Sequence, residues 1–128
     1  MERILVIYDD PRSQWTVCRI LGPPHYNVIT VAYGSFAIDI FRAAKPGLVV
    51  LDVCLPGQSG QDLCRQIRSE SRNVPLFVLS ATKDVADVVL LLNLGADDYI
   101  TKPFSPFEFL ARVRGVMRTS ALVQNTNG

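Results

Sequence analysis

What most limits the folds open to this chain is a set of short, unbroken apolar runs, each ended by a polar residue and followed by residues at helical spacing. Ile4-Leu-Val-Ile7 stops at Tyr8-Asp9-Asp10, Leu48-Val-Val-Leu51 stops at Asp52, and Leu76-Phe-Val-Leu79 stops at Ser80. A strand that is apolar at every position must be covered on both faces, which is the habit of parallel sheets. Between these runs, Trp15, Val17, Cys18 and Leu21 recur at helix spacing before Gly22-Pro23-Pro24, and Phe36, Ile38, Ile40 and Phe41 before Lys45-Pro46-Gly47. Asn27 to Val31 reads as another strand. Further on, Ser59 can cap a helix carrying Leu63, Cys64 and Ile67, and a helix from about Asp84 to Leu94 stops at Gly95. A short strand covers Asp98 to Thr101, and Pro106 opens a last helix reaching about Arg118. Five βα units predict an α/β fold: a doubly wound, five-stranded parallel sheet with helices on both faces, joined by right-handed crossovers. Residues 1–118 are expected to form one domain, and 119–128 a polar tail.

Composition narrows the function. With 128 residues, 48% of them hydrophobic, the chain can fill one core. Thirteen Lys+Arg against twelve Asp+Glu give a net charge of +1, which argues against nucleic acid or an anionic membrane as a direct partner. The opening apolar run lacks a charged lead and the length to span a bilayer, so the expected location is cytoplasmic. Cys18, Cys54 and Cys64 show no C-x-x-C spacing and His25 stands alone, so no transition-metal site is expected. The cysteines read as small core residues, His25 as a surface loop residue, and Trp15 as core or helix-face packing.

In an open doubly wound sheet, ligands sit beyond the carboxyl ends of the strands, and here those ends carry Tyr8-Asp9-Asp10, Asp52, Ser80 and Lys102. Any one of these is as well explained as a helix cap or a solvated turn. Together they bring carboxylates, a hydroxyl and an ammonium from distant segments to one rim. That set suits phosphoryl transfer to a carboxylate, where oxygen ligands hold Mg²⁺ and a cation and a hydroxyl receive the phosphoryl charge.

Ile4-Leu-Val-Ile-x-Asp9-Asp10-Pro, Leu48-Val-Val-Leu-Asp52-x-x-Leu-Pro-Gly, Leu79-Ser80-Ala81 and Gly95-Ala-Asp-Asp-Tyr-Ile-Thr-Lys102-Pro-Phe resemble the response-regulator receiver family over residues 3–118. Lys102-Pro-Phe-Ser-Pro106 and the following Glu108-Phe-Leu-Ala-Arg-Val-Arg114 resemble its OmpR/PhoB-like branch, whose members carry a C-terminal DNA-binding domain. The resemblance implies a flavodoxin-like receiver with Asp52 as phosphoryl acceptor. Asp9, Asp52 and the backbone carbonyl of Cys54 would hold Mg²⁺. Lys102 and Ser80 would contact the phosphoryl group, and Ser80 and Tyr99 would form the switch. A cis bond before Pro103 is part of the same pattern. The implied partners are a histidine kinase, a second copy of the chain and, through a C-terminal domain beyond this sequence, DNA; no membrane partner is implied.

The chain departs from that family at Tyr8, where the first of two consecutive acids usually stands. Asp10 cannot simply replace it, because successive side chains leaving a strand point to opposite sides. A carboxylate about 6 Å from a divalent ion interacts with it by roughly 5 kcal/mol at an effective dielectric of ~20, and by near 1 kcal/mol in bulk-like water. Even the lower figure approaches a tenfold loss of affinity, so weakened Mg²⁺ binding and phosphorylation are expected. Val88-Val-Leu-Leu-Leu92 has no polar residue in five, which predicts an apolar contact face unless the run is buried in the core. Val88, Leu91, Leu92, Asp98, Glu108 and Arg112 are the expected dimer interface. An aspartate-nucleophile phosphatase would need a second acid where Cys54 stands, so no enzyme is expected. The two remaining readings are a phosphorylation-gated switch and a binding module of the same fold that works without phosphate.

Overall fold

The computed structural model describes residues 2–33, 36–53, 58–81 and 83–127. The elements alternate along the chain as β1 (Arg3–Tyr8), α1 (Pro11–Leu21), β2 (Asn27–Ala32), α2 (Ala37–Ala44), β3 (Leu48–Val53), α3 (Gln58–Glu70), β4 (Leu76–Ser80), α4 (Val85–Asn93), β5 (Asp98–Thr101) and α5 (Pro106–Asn127). The strands form one parallel sheet in the order β2-β1-β3-β4-β5.

Side chains alternate across each strand, so every central strand feeds two cores. On one face, Leu5, Ile7, Val49, Leu51, Leu76 and Val78 pack with Ala37 and Phe41 of α2 and Leu63, Cys64 and Ile67 of α3. On the other, Ile4, Val6, Leu48, Val50, Phe77 and Leu79 pack with Val17 and Leu21 of α1 and Phe109 and Val113 of α5. This is why the apolar runs have no polar member until they end. Strand order reverses between β1 and β3, so the helices that follow them cover opposite faces and leave a crevice at their carboxyl ends.

Local chemistry sets the element ends. Asp10 caps α1 by accepting the Arg12 backbone N–H at 3.0 Å, with Pro11 in the first helical position. Asp84 caps α4 through the Ala86 N–H at 2.9 Å. After α4 the chain turns at Gly95 with φ +118°, and a Cβ there would lie 2.6 Å from the Arg68 side chain. Arg68 uses that space: its guanidinium donates to Gly95 O and Val74 O and pairs with Asp97, which accepts the Leu76 N–H at 2.8 Å. The Lys102–Pro103 bond is cis, as the motif implies, and Pro23–Pro24 is cis as well.

Several details correct the sequence expectations. The last helix does not end near Arg118 but continues to Asn127, because residues 119–127 contain neither proline nor glycine to stop it. The third helix begins at Gln58, one residue before the expected cap Ser59. Of the two placements expected for Trp15, the helix face holds and the core does not: it is 60% exposed, with the Arg19 guanidinium 4.8 Å over its ring. Cys54 lies outside the described residues, so the expected carbonyl ligand there has no described position.

Candidate functional site

Strand register builds the site. Tyr8 and Asp52 are paired residues at the carboxyl ends of β1 and β3. Alternation from Val6 and Val50 directs both toward the face covered by α1 and α5. Asp52 is fully buried, Tyr8 half-buried and Asp9 exposed. Asp10, the neighbour that could have restored a second acid, is committed to the α1 cap and lies 3.9 Å from the Arg12 guanidinium.

Lys102 arrives at the end of β5 and forms an ion pair with Asp52 Oδ1. Its ammonium also donates to the Ser13 hydroxyl of α1 at 2.9 Å. Asp52 Oδ2 is buried and accepts no hydrogen bond among the described residues. Burial pushes the Asp52 carboxyl above the usual carboxylate range; the hydrogen bond and charge of Lys102 oppose this, while the negative charges of Asp9 and Asp10 reinforce it. A cavity of about 270 Å³ reaches Asp52 between α1 and the segment after β5, walled largely by apolar Val17, Ile20, Leu79 and Phe104, with Arg12, Ser13 and Thr16 also lining it.

On the opposite face of the sheet, Ser80 closes β4 almost fully buried, and Tyr99 is half-buried against the α2–α3 core cluster. Val78 pairs with Tyr99 and Ser80 with Thr101, so the two expected switch residues share one face, one strand step apart. The structure therefore brings together Tyr8, Asp9, Asp52, Lys102 and Ser80 at one sheet rim.

The expected dimer face is partly rearranged. Leu91 turns inward and packs against the α2–α3 core cluster, and Val88 is half-buried; the exposed apolar residues of α4 are Val85, Val89 and Leu92. Inward Leu91 and outward Leu92 are consecutive residues, about 100° apart around the helix, in a run with no polar marker, so the sequence did not distinguish them. Arg112 pairs with Asp98 at 3.4 Å and with Glu108 at 3.3 Å within the chain. Cys64 sits in the core as expected, its thiol lifted by burial to about 11, whereas Cys18 is only half-buried, its thiol raised by that burial, and Cys54 lies outside the described residues. His25 is exposed, with Nδ1 3.5 Å from the Arg114 guanidinium. Sequence reasoning missed Ser13, which looked like any polar residue in the first turn of a helix.

A hard cation fits the donor set in part: Asp52 offers a buried carboxylate oxygen without a described partner, and Asp9 is a second nearby acid. Among the described residues, no group of three or more His, Cys, Asp or Glu gathers to hold a metal. No described helix is long and apolar enough to cross a membrane.

The receiver-domain model of the response regulators matches residues 4–114, and the chain belongs to that family. It is 44% identical over 117 residues to the DNA-binding response regulator MtrA of Mycolicibacterium smegmatis, covering 91% of this chain and 51% of that protein. It is 45% identical over 117 residues to the probable transcriptional regulator ycf27 of Porphyridium aerugineum, covering 91% and 48%. The chain thus spans about half the length of these relatives, which are of the OmpR/PhoB type. Among solved structures, the BeF3-activated N-terminal receiver domain of Klebsiella pneumoniae RstA superposes with TM-score 0.82 at 34% identity, over 91% of this chain and 98% of that one. A signal receiver domain from Vibrio parahaemolyticus, at 24% identity and TM-score 0.87 over 99% and 98%, shares the fold.

Proposed function

We propose that this chain is the receiver module of a two-component regulator that controls transcription through a C-terminal DNA-binding domain, with Asp52 as phosphoryl acceptor and a metal site weakened by Tyr8. One observation carries the reading: Tyr8 stands opposite Asp52 in the β1–β3 ladder, at the position where the family places an acid. The MtrA relative, a DNA-binding response regulator of which this chain spans 51%, supports such an arrangement.

A histidine kinase would donate the phosphoryl group, and the chain would act as acceptor and switch, not as an enzyme on a diffusible substrate. Asp9, Asp52 and the Cys54 carbonyl would hold Mg²⁺, which supplies countercharge to the entering group. Asp52 would form the new bond to phosphorus as the bond to the donor breaks. Lys102 would follow the phosphoryl charge, Ser80 would bond to it, and Tyr99 would move in behind Ser80. Pairing of two copies through α4, β5 and α5 would carry the output, a population shift between two packings.

A second reading, a module held in one state that pairs without phosphate, is favoured by the lost acid together with the exposed Val85, Val89 and Leu92. Acetyl phosphate tests the first reading: Asp52 should label about tenfold more slowly in the wild type than in Tyr8→Asp. Equal and rapid labelling of the two would contradict it. In the full-length regulator, Asp52→Ala separates the two readings. Loss of in vivo activity supports gating by phosphate, and retention of most activity supports the fixed module.

A further inference from the structure

We infer that Ser13 is a positioning residue that holds the Lys102 ammonium on Asp52, making the lysine the standing counter-ion of the acceptor and setting it against an incoming divalent cation. This deepens the proposed reading of the Asp52 site and rests on it.

A lysine ammonium sits on a flexible four-carbon stem with three donors, so a single ion pair leaves it free to exchange with water. Here the partners of Lys102 include Asp52 Oδ1 of β3 and Ser13 Oγ of α1, the latter 89 residues away in sequence. The two anchors lie on different elements, so their separation is set by the packing of α1 on the sheet through Val17 and Leu21. The surroundings make the arrangement matter. Asp52 is fully buried, and the adjoining cavity is walled mostly by Val17, Ile20, Leu79 and Phe104. In such a setting water screens poorly, and a fixed ammonium and a divalent ion attracted to the same carboxylate repel each other strongly. With Tyr8 in place of an acid, less negative charge remains to hold both cations. Ser13 thus favours the lysine-paired state by about the worth of one charge-assisted hydrogen bond, a factor of roughly 10.

The test uses metal-free protein and a brief, single-hit acetylation of amines with an N-hydroxysuccinimide ester, followed by peptide mass spectrometry. The exposed Lys45 and Lys83 serve as internal references. In Ser13→Ala, Lys102 should acetylate several-fold faster relative to those references, whereas Ser13→Thr, which keeps the hydroxyl, should match the wild type. Mg²⁺ should then bind Ser13→Ala about 3- to 10-fold more tightly than the wild type. Unchanged Lys102 acetylation in Ser13→Ala overturns the anchoring, and faster acetylation with unchanged Mg²⁺ affinity overturns the competition. Failure of the Tyr8 reading shows separately, as a Tyr8→Asp protein whose Mg²⁺ affinity equals the wild type's while the acetylation result stands.

Discussion

At the residue scale, three neighbouring positions explain why this acidic pocket is unusual. Asp9 keeps its place at the rim, Asp10 spends its carboxylate on the α1 cap, and Tyr8 puts a phenol beside Asp52. Asp52 is left buried, with one oxygen on Lys102 and the other without a described partner. Its folded pKa is raised by burial, so the folded state holds the Asp52 proton more tightly than the unfolded chain does. That contribution to stability is fully present below the ordinary carboxylate range and is lost as pH rises through the raised folded value. In metal-free protein, Asp52→Asn should therefore melt higher than the wild type at pH 7–8, and the difference should shrink toward pH 4. A difference that instead widens as pH falls would show that Lys102 overcompensates burial. Asp52, Lys102 and Tyr8 were legible because each ends an apolar run or sits in an ordered motif. Ser13 was not, since its role depends on α1 meeting the segment that follows β5, a contact between residues far apart in sequence.

At the element scale, the ten strands and helices were readable from runs and spacing, and the errors fall where local pattern carries no direction. The Val88–Leu92 run announced an apolar helix but not its orientation; tertiary packing put Leu91 on the core and left Val85, Val89 and Leu92 outside. The helix that opens at Pro106 overran its expected end because polarity was taken for a boundary in residues that contain no breaker. The orientation of α4 is testable. Leu91→Arg should destabilise the fold by about 2–4 kcal/mol, since a charge would be forced against the core edge. Leu92→Arg should change stability by less than about 0.5 kcal/mol and, if copies pair through α4, should leave the protein monomeric in sedimentation. The reverse order of stabilities would place the helix the other way round.

At the scale of the whole molecule, the sheet brings distant segments to one rim, and the face around Tyr99, Asp98 and α4 lies next to it across β4 and β5. A change at Ser80 therefore has a short path to Tyr99 and to Leu91 of α4, which pack on the same face of the sheet, whereas Asp98 and Arg112 lie on the α5 side. On the proposed reading, use of such a path would depend on how readily Asp52 is charged with phosphate, which returns to the pocket and to Tyr8. On the proposed reading, Tyr8 weakens Mg²⁺ binding at the Asp52 pocket. The direct measurement is Mg²⁺ titration of the wild type and Tyr8→Asp, followed by amide shifts of residues at the carboxyl ends of β1 and β3. Tyr8→Asp should bind about tenfold more tightly or better. Equal affinities in the two proteins would contradict the account.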